Sequence, residues 1–231
     1  MPSYKIHYTA ATCACIIHPR FNFERFYMAE EQVLVVETKL VETQGLFHGL
    51  QFDVKRYIDT LFVKSALRFM PRSQAENDPT YKQLIPYVLM THNGSVLSYV
   101  RGKRAGETRL VSKRSIGIGG HINPADDAPL FGEPYATYLA AVEREIKEEV
   151  DVQANYTDRV VALLNDDTNE VGKVHLGIVH LWNLDAPAVT RREQMITQLE
   201  FIPIPKLREM RETMETWSAL CLDGIEKMQA Q

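Results

Sequence analysis

The pattern of apolar residues predicts several β-strands in the middle of the chain. Residues 84–90 and 96–100 are apolar runs, and Asn93-Gly94 between them favours the positive φ angles of a tight hairpin turn. Residues 115–122 alternate small and apolar side chains and contain the pair Gly119-Gly120. Further strands are expected at residues 32–41, 159–164, 174–184 and 199–204.

Three other stretches have the apolar spacing of amphipathic helices. In residues 134–150, Leu139, Val142, Ile146 and Val150 follow one another at spacings of three and four, and Pro134 occupies a favourable first helical position. Residues 205–225 predict a final amphipathic helix, and residues 52–69 predict one helix or two short ones. Because strands and helices interleave, the pattern predicts an α/β or α+β fold with a mixed sheet.

Composition narrows the classes of function. Of the 231 residues, 24% are charged, and the net charge of −4 argues against a bulk nucleic-acid binder. No apolar run reaches the roughly 20 residues that span a bilayer, so no membrane association is expected. The three cysteines Cys13, Cys15 and Cys221 form no disulfide framework, which favours a reducing compartment such as the cytoplasm.

The candidate chemistry lies in the sequence REIKEE at residues 144–149. On a helix, Glu145, Glu148 and Glu149 are related by i, i+3 and i+4, so their carboxylates share one face. Clustered carboxylates repel one another unless a cation lies among them, and their hard oxygen atoms suit Mg²⁺ or Mn²⁺. The alternative is an ordinary helix face that meets water, because Glu, Lys and Arg are good helix formers.

A basic segment precedes this helix. Residues 101–114 contain six basic side chains and one acidic one, whereas residues 143–151 contain five acidic and two basic ones. A cationic segment opposite a carboxylate cluster fits a diphosphate–metal complex, although a solvated hairpin end would have the same composition. The candidate substrate-binding residues are therefore Arg101 and Arg109 of this segment and Gly119 and Gly120, where a ligand can approach the backbone closely. His121, next to the glycine pair, could contact a phosphate, but a lone histidine at a strand end is more often structural.

These residues resemble the signature of the Nudix hydrolase superfamily, G-x5-E-x7-R-E-U-x-E-E-x-G-U, where U is a bulky aliphatic residue. Its second half matches at residues 144–152, except that Asp151 replaces the last glycine. Its first half departs: 23 residues separate Gly120 from Arg144, where the signature has 13. Counting back from Arg144 places Ala136 at the first glutamate, and Glu133 is the nearest substitute. The sequence segment at residues 115–123 further resembles that of a bacterial subgroup of predicted phosphoesterases.

The resemblance implies roles for individual residues. Glu145, Glu148 and Glu149 would bind Mg²⁺ or Mn²⁺, and Arg144 would orient the glutamates. A metal-activated water would attack a diphosphate in a nucleoside-diphosphate-linked or similar small molecule. Glu148 or Glu149 is the expected general base. The further candidates for that base are Glu133, Asp126 and Asp127.

The resemblance also implies an organisation for the chain. It predicts an α+β Nudix-like α/β/α sandwich over residues 83–204, with an N-terminal extension at 1–27, a strand and helix region at 28–82 and a C-terminal helix at 205–231. Many members of the superfamily pair, so a homodimer is compatible with it. Two alternatives stay open: a catalytically weak module that binds a nucleotide and signals, and an isoprenoid diphosphate isomerase. The isomerase ranks last because it usually needs a cysteine near the site, and all three cysteines lie outside residues 83–204.

Overall fold

The computed structural model describes residues 30–102, 113–126 and 133–231, and most strands in these residues join one mixed sheet. Its main path runs in the order β12-β5-β4-β10-β9-β2, while β1, β3, β6 and β7 pair beside that path. A separate two-stranded sheet consists of β8 and β11. The strands are β1 (Gln32–Glu37), β2 (Gly49–Gln51), β3 (Leu67–Pro71), β4 (Tyr81–His92), β5 (Ser95–Arg101), β6 (Arg114–Ser115), β7 (Gly117–Gly119), β8 (Val150–Val152), β9 (Tyr156–Asn165), β10 (His175–Leu184), β11 (Val189–Arg191) and β12 (Ile196–Pro203).

The centre of the sheet is the parallel pair β4 and β10, and their other neighbours run antiparallel. Strand β4 is buried along nearly its whole length, which explains its continuous apolar sequence. Asn93 and Gly94 both have positive φ angles, of 45° and 75°, in the turn from β4 to β5. The predicted hairpin is therefore confirmed.

Helices cover both faces of the sheet. One apolar core lies between the sheet and α1, α2 and α4, and a second lies between the opposite face and α6, α7 and α8. The described residues thus form the predicted α+β sandwich, and none of their helices is long and apolar enough to cross a membrane. The helices are α1 (Thr38–Gln44), α2 (Val54–Leu61), α3 (Arg72–Ala75), α4 (Pro134–Glu149), α5 (Glu170–Lys173), α6 (Ile204–Glu209), α7 (Thr216–Asp223) and α8 (Ile225–Gln229), with 3₁₀ turns at Pro124–Asp126 and Arg211–Thr213.

The helix α4 begins at Pro134 and ends at Glu149, close to the predicted bounds. Its buried face differs from the prediction, because Leu139 is 38% exposed, whereas Tyr138 is fully buried. The Tyr138 hydroxyl lies 2.6 Å from Nε2 of His180, and Nδ1 of His180 lies 2.8 Å from the Asp158 carboxylate. This satisfied polar chain places Tyr138 against β10 and turns Leu139 towards solvent.

Four other predicted elements are divided in the structure. Residues 32–41 form β1 and the start of α1, and residues 52–69 form α2 and the start of β3. Residues 115–122 contain the end of β6, the short strand β7 and the chain that follows it. The C-terminal stretch is several short helices rather than one. It is interrupted where Met214 bridges to Arg114 and the backbone N–H of Glu215 donates to the Arg114 carbonyl at 3.0 Å. This long-range pairing overrides the local helical periodicity.

We expect the stability of the protein to depend on Ile146 far more than on Leu139. Ile146→Ala leaves a cavity under α4 and should lower the free energy of unfolding by about 2–5 kcal/mol. Leu139→Ala changes a partly exposed position on the same helix and should cost at most about 1 kcal/mol. Urea denaturation of both variants measures the difference. Equal losses would show that the buried face of α4 is assigned incorrectly.

Candidate active site

The candidate site forms where the last turns of α4 meet the chain after β7. Glu145 faces Gly120 so closely that a Cβ atom on residue 120 would lie 2.0 Å from Glu145 Oε2. A Cβ on Gly119 would lie 2.1 Å from the Pro86 carbonyl oxygen. The two positions therefore require glycine for different reasons. Gly119 permits close packing of the strands, and Gly120 permits the approach of a carboxylate.

The guanidinium of Arg144 connects the residues of the candidate site. It donates to both oxygens of Asp126, at 2.7 and 3.0 Å, and to Glu145 at 2.8 Å. It also donates to the His121 carbonyl oxygen at 2.8 Å. The hydrogen bond to Asp126 contributes most to the raised pKa of Arg144. Arg144 thus joins the chain after Gly120 to the carboxylate-bearing helix.

Asp126 occupies the position of the first glutamate of the signature, which counting back from Arg144 did not reveal. Five residues separate it from Gly120, which is the x5 spacing of the signature when counted forward from the glycine. The ten extra residues therefore lie between Asp126 and Arg144, and counting back from Arg144 concealed the match. Asp126 is buried, and the backbone N–H of Asn123 donates to it at 2.7 Å. Because its oxygens are occupied, Asp126 orients Arg144 and is a poor candidate for the general base.

The three glutamates differ in exposure. Glu145 has a side chain that is 14% exposed, that of Glu148 is 61% exposed, and Glu149 is intermediate. Burial raises the pKa of Glu145; Arg144 opposes this shift, and the negative charges of Glu148 and Glu149 add to it. The three carboxylates are thus near enough to repel one another, as the helical spacing predicts.

The carboxylates do not converge on a common point in the described arrangement. Arg144 contacts Glu148 only weakly, at 3.4 Å, while it holds Glu145 firmly. Within residues 30–102, 113–126 and 133–231, no group of three His, Cys, Asp or Glu side chains is placed to hold a metal ion. The metal site therefore stays a prediction from the sequence.

Of the two arginines predicted to bind substrate, Arg101 lies in the part of the chain that the structure describes. It ends β5, and its Nε lies 3.3 Å from Oε2 of Glu215. Burial opposes the charge of Arg101, but Tyr99 and, after it, Glu215, Tyr87 and Glu149 raise its pKa. Arg109 and Asp127 lie outside the described residues. Arg114 is buried and donates to Ser98 and Gln198, so this part of the basic segment is structural.

Two further candidates do not fit a role at the carboxylates. Glu133 immediately precedes α4, and Glu145 lies twelve residues later, about 18 Å along the helix axis. Burial and nearby cations lower the pKa of His121 to about 3, so its ring is neutral at pH 7. A neutral ring adds no charge for a phosphate.

The isomerase alternative needs a reactive cysteine near the site. Cys221 is buried, and burial raises the pKa of its thiol, so Cys221 does not supply such a thiol.

Comparison with known proteins supports the assignment that the fold and these residues indicate. Protein YmaB of Bacillus subtilis (strain 168) is 34% identical over 186 residues, which cover 78% of this chain and 89% of YmaB. The crystal structure of Tm1382, a proposed Nudix hydrolase, matches with a TM-score of 0.70 and 29% identity, over 84% of this chain and 98% of Tm1382. No model of a known protein family matches the sequence.

The fold and the arginine–glutamate helix define a Nudix-type protein, and the chain belongs to the Nudix superfamily. Protein YmaB is a relative of this chain by sequence along most of both chains.

We expect the Asp126–Arg144 pair to stabilise the protein measurably. Asp126→Asn removes the charge that faces Arg144 inside the fold and should lower the free energy of unfolding by about 1–3 kcal/mol, since Arg144 keeps its other contacts. Asp59→Asn, which removes an exposed ion pair with Lys55, is the control and should cost no more than about 0.5 kcal/mol. Chemical denaturation measures both, and indistinguishable losses would contradict a structural role for the pair.

Proposed function

We propose that the protein is a metal-dependent hydrolase that cleaves a diphosphate bond in a nucleoside-diphosphate-linked or similar small molecule. The observation that carries the proposal is the approach of Glu145 to Gly120, with Glu148 and Glu149 on the same edge of α4. Membership of the Nudix superfamily and the similarity to Tm1382 support the same reaction class.

The donor set fits Mg²⁺ or Mn²⁺. Three carboxylates supply hard oxygen ligands, and a cation would offset both the burial and the mutual repulsion that raise the pKa of Glu145. Glu148 is mostly exposed and only weakly held by Arg144, so its carboxylate is able to turn towards a metal. Glu145, Glu148 and Glu149 are the residues that would hold it.

The remaining roles follow from the charge of the groups. A bound divalent metal would lower the pKa of a water ligand and offset negative charge on the phosphoryl oxygens. Arg144 orients Glu145 through its contact at 2.8 Å, and Asp126 holds Arg144 in turn. Glu148 or Glu149 would accept the proton of the attacking water. Arg101 and Arg109 would bind the phosphate groups.

The proposal predicts a large loss of turnover when one carboxylate of the cluster is neutralised. Glu148→Gln and Glu149→Gln keep the helix but remove a charged ligand or base, so kcat should fall by about 100-fold or more. Hydrolysis is measured with a panel of nucleoside diphosphate derivatives in Mg²⁺ and Mn²⁺, read out as phosphate released after phosphatase treatment. The melting temperature shows whether each variant is folded.

Glu143→Gln is the matched control on the same helix. Glu143 is exposed and pairs with Lys147 at 2.9 Å, away from the shared carboxylate edge, so its kcat should stay within about twofold. Full activity in both Glu148→Gln and Glu149→Gln would disprove the metal assignment. Ligand-induced thermal stabilisation of the unaltered protein without any product would instead support the non-catalytic binding module.

A further inference from the structure

A buried polar network surrounds Glu215, which precedes α7 and lies outside residues 83–204. Glu215 is only 8% exposed, yet one of its oxygens, Oε1, accepts three hydrogen bonds. The donors are the hydroxyl groups of Tyr87 at 3.0 Å, Ser115 at 2.7 Å and Ser218 at 3.1 Å. With these contacts the carboxylate is fixed in place rather than free to rotate.

The second oxygen of Glu215 faces Arg101. The distance from Oε2 to Nε of Arg101 is 3.3 Å, and this Nε is buried without a well-aligned hydrogen-bond acceptor among the described residues. The guanidinium also lies 5.7 Å from the ring centre of Tyr99, within the range of a cation–π contact. The ion pair is therefore the main compensation for burying this part of Arg101.

The chain places Glu215 there through backbone pairing. The backbone N–H of Glu215 donates to the Arg114 carbonyl at 3.0 Å, and that of Arg101 donates to the Lys113 carbonyl at 3.1 Å. Both residues are thus joined to neighbouring backbone of one short segment. Their side chains meet because the C-terminal stretch leaves its helical path at Met214.

The negative charge of Glu149 on α4 also favours the charged form of Arg101, although it contributes less than Glu215. Without Glu215, the flexible arginine would be drawn towards the carboxylates of α4. With Glu215 holding Nε, the far end of a side chain that is 31% exposed is left for a ligand. Since three hydroxyl groups and an arginine surround the oxygens of Glu215, this residue is not suited to accept a proton from water.

We infer that Glu215 is a positioning residue that holds Arg101 for binding the diphosphate group of the substrate. The inference rests on the proposed function, because it takes a diphosphate as the ligand of that site. It assigns the C-terminal segment a part in substrate binding, in addition to covering the second face of the sheet.

The test is the affinity of the full chain for inorganic pyrophosphate in the presence of Mg²⁺, measured by isothermal titration calorimetry. Glu215→Gln keeps an acceptor for the hydroxyl groups but loses the charge that holds Arg101, and should weaken binding about tenfold. Arg101→Gln should weaken it at least as much. The double variant should bind within about twofold of Arg101→Gln alone, because the two residues act as one unit.

Asp223→Asn is the control on the same segment. It removes the ion pair of Asp223 with Arg211, whose closer contact is 2.6 Å, and should leave pyrophosphate affinity unchanged. With a substrate from the hydrolysis panel, Glu215→Gln should raise KM about tenfold and change kcat less than threefold. A purely structural role for Glu215 would instead lower the melting temperature without this split.

Several results would overturn the inference. These are unchanged affinity in Glu215→Gln, additive losses in the double variant, or no pyrophosphate binding by the unaltered protein. If hydrolysis that depends on Glu148 persists in any of these cases, the proposed function stands and only the role of Glu215 fails. Conversely, pyrophosphate binding that depends on Glu215 but is accompanied by no hydrolysis of any panel substrate would support the positioning role and contradict the hydrolase.

Discussion

The ion pair between Arg144 and Asp126 is the interaction on which the candidate site depends. A carboxylate buried as deeply as that of Asp126 is costly unless it is paired, and the two-pronged contact with Arg144 provides that compensation. The same guanidinium then reaches Glu145 and the His121 carbonyl. The chain after Gly120 and the last turns of α4 are thereby held at a fixed distance from each other. This distance places the carboxylate edge of α4 against Gly120.

The other half of α4 is tied to the sheet by a second polar chain. Tyr138 contacts His180, which contacts Asp158, and every polar atom of that path has a partner. A helix that is fixed by an ion pair near one end and by a hydrogen-bonded tyrosine near the other has little freedom to tilt or slide. Rigid support of this kind is what functional carboxylates need if their spacing is to stay constant.

Local signals explain what the sequence predicts well. Asn93-Gly94 determines its turn through backbone preference alone, and the glutamate spacing in α4 follows from helical geometry. Long-range contacts explain the rest. The periodicity of residues 205–225 gives no warning that Glu215 pairs with the backbone of Arg114, and Leu139 looks like a core residue until the buried Tyr138–His180 contact sets the rotation of the helix. The insertion after Asp126 hid a spacing that was present in the sequence.

Arg144 holds Glu145 more closely than Glu148, and this difference affects how a metal would bind at the candidate site. Glu145 is held at 2.8 Å and is pressed against Gly120, so its position is set before any ligand arrives. Glu148 is exposed and held only at 3.4 Å, so it is the carboxylate that can exchange an arginine for a cation at small cost. Because Asp126 satisfies Arg144 independently, release of Glu148 leaves the arginine paired. If the proposed metal binds, the site would therefore reorganise around it without disturbing the ion pair that supports the helix.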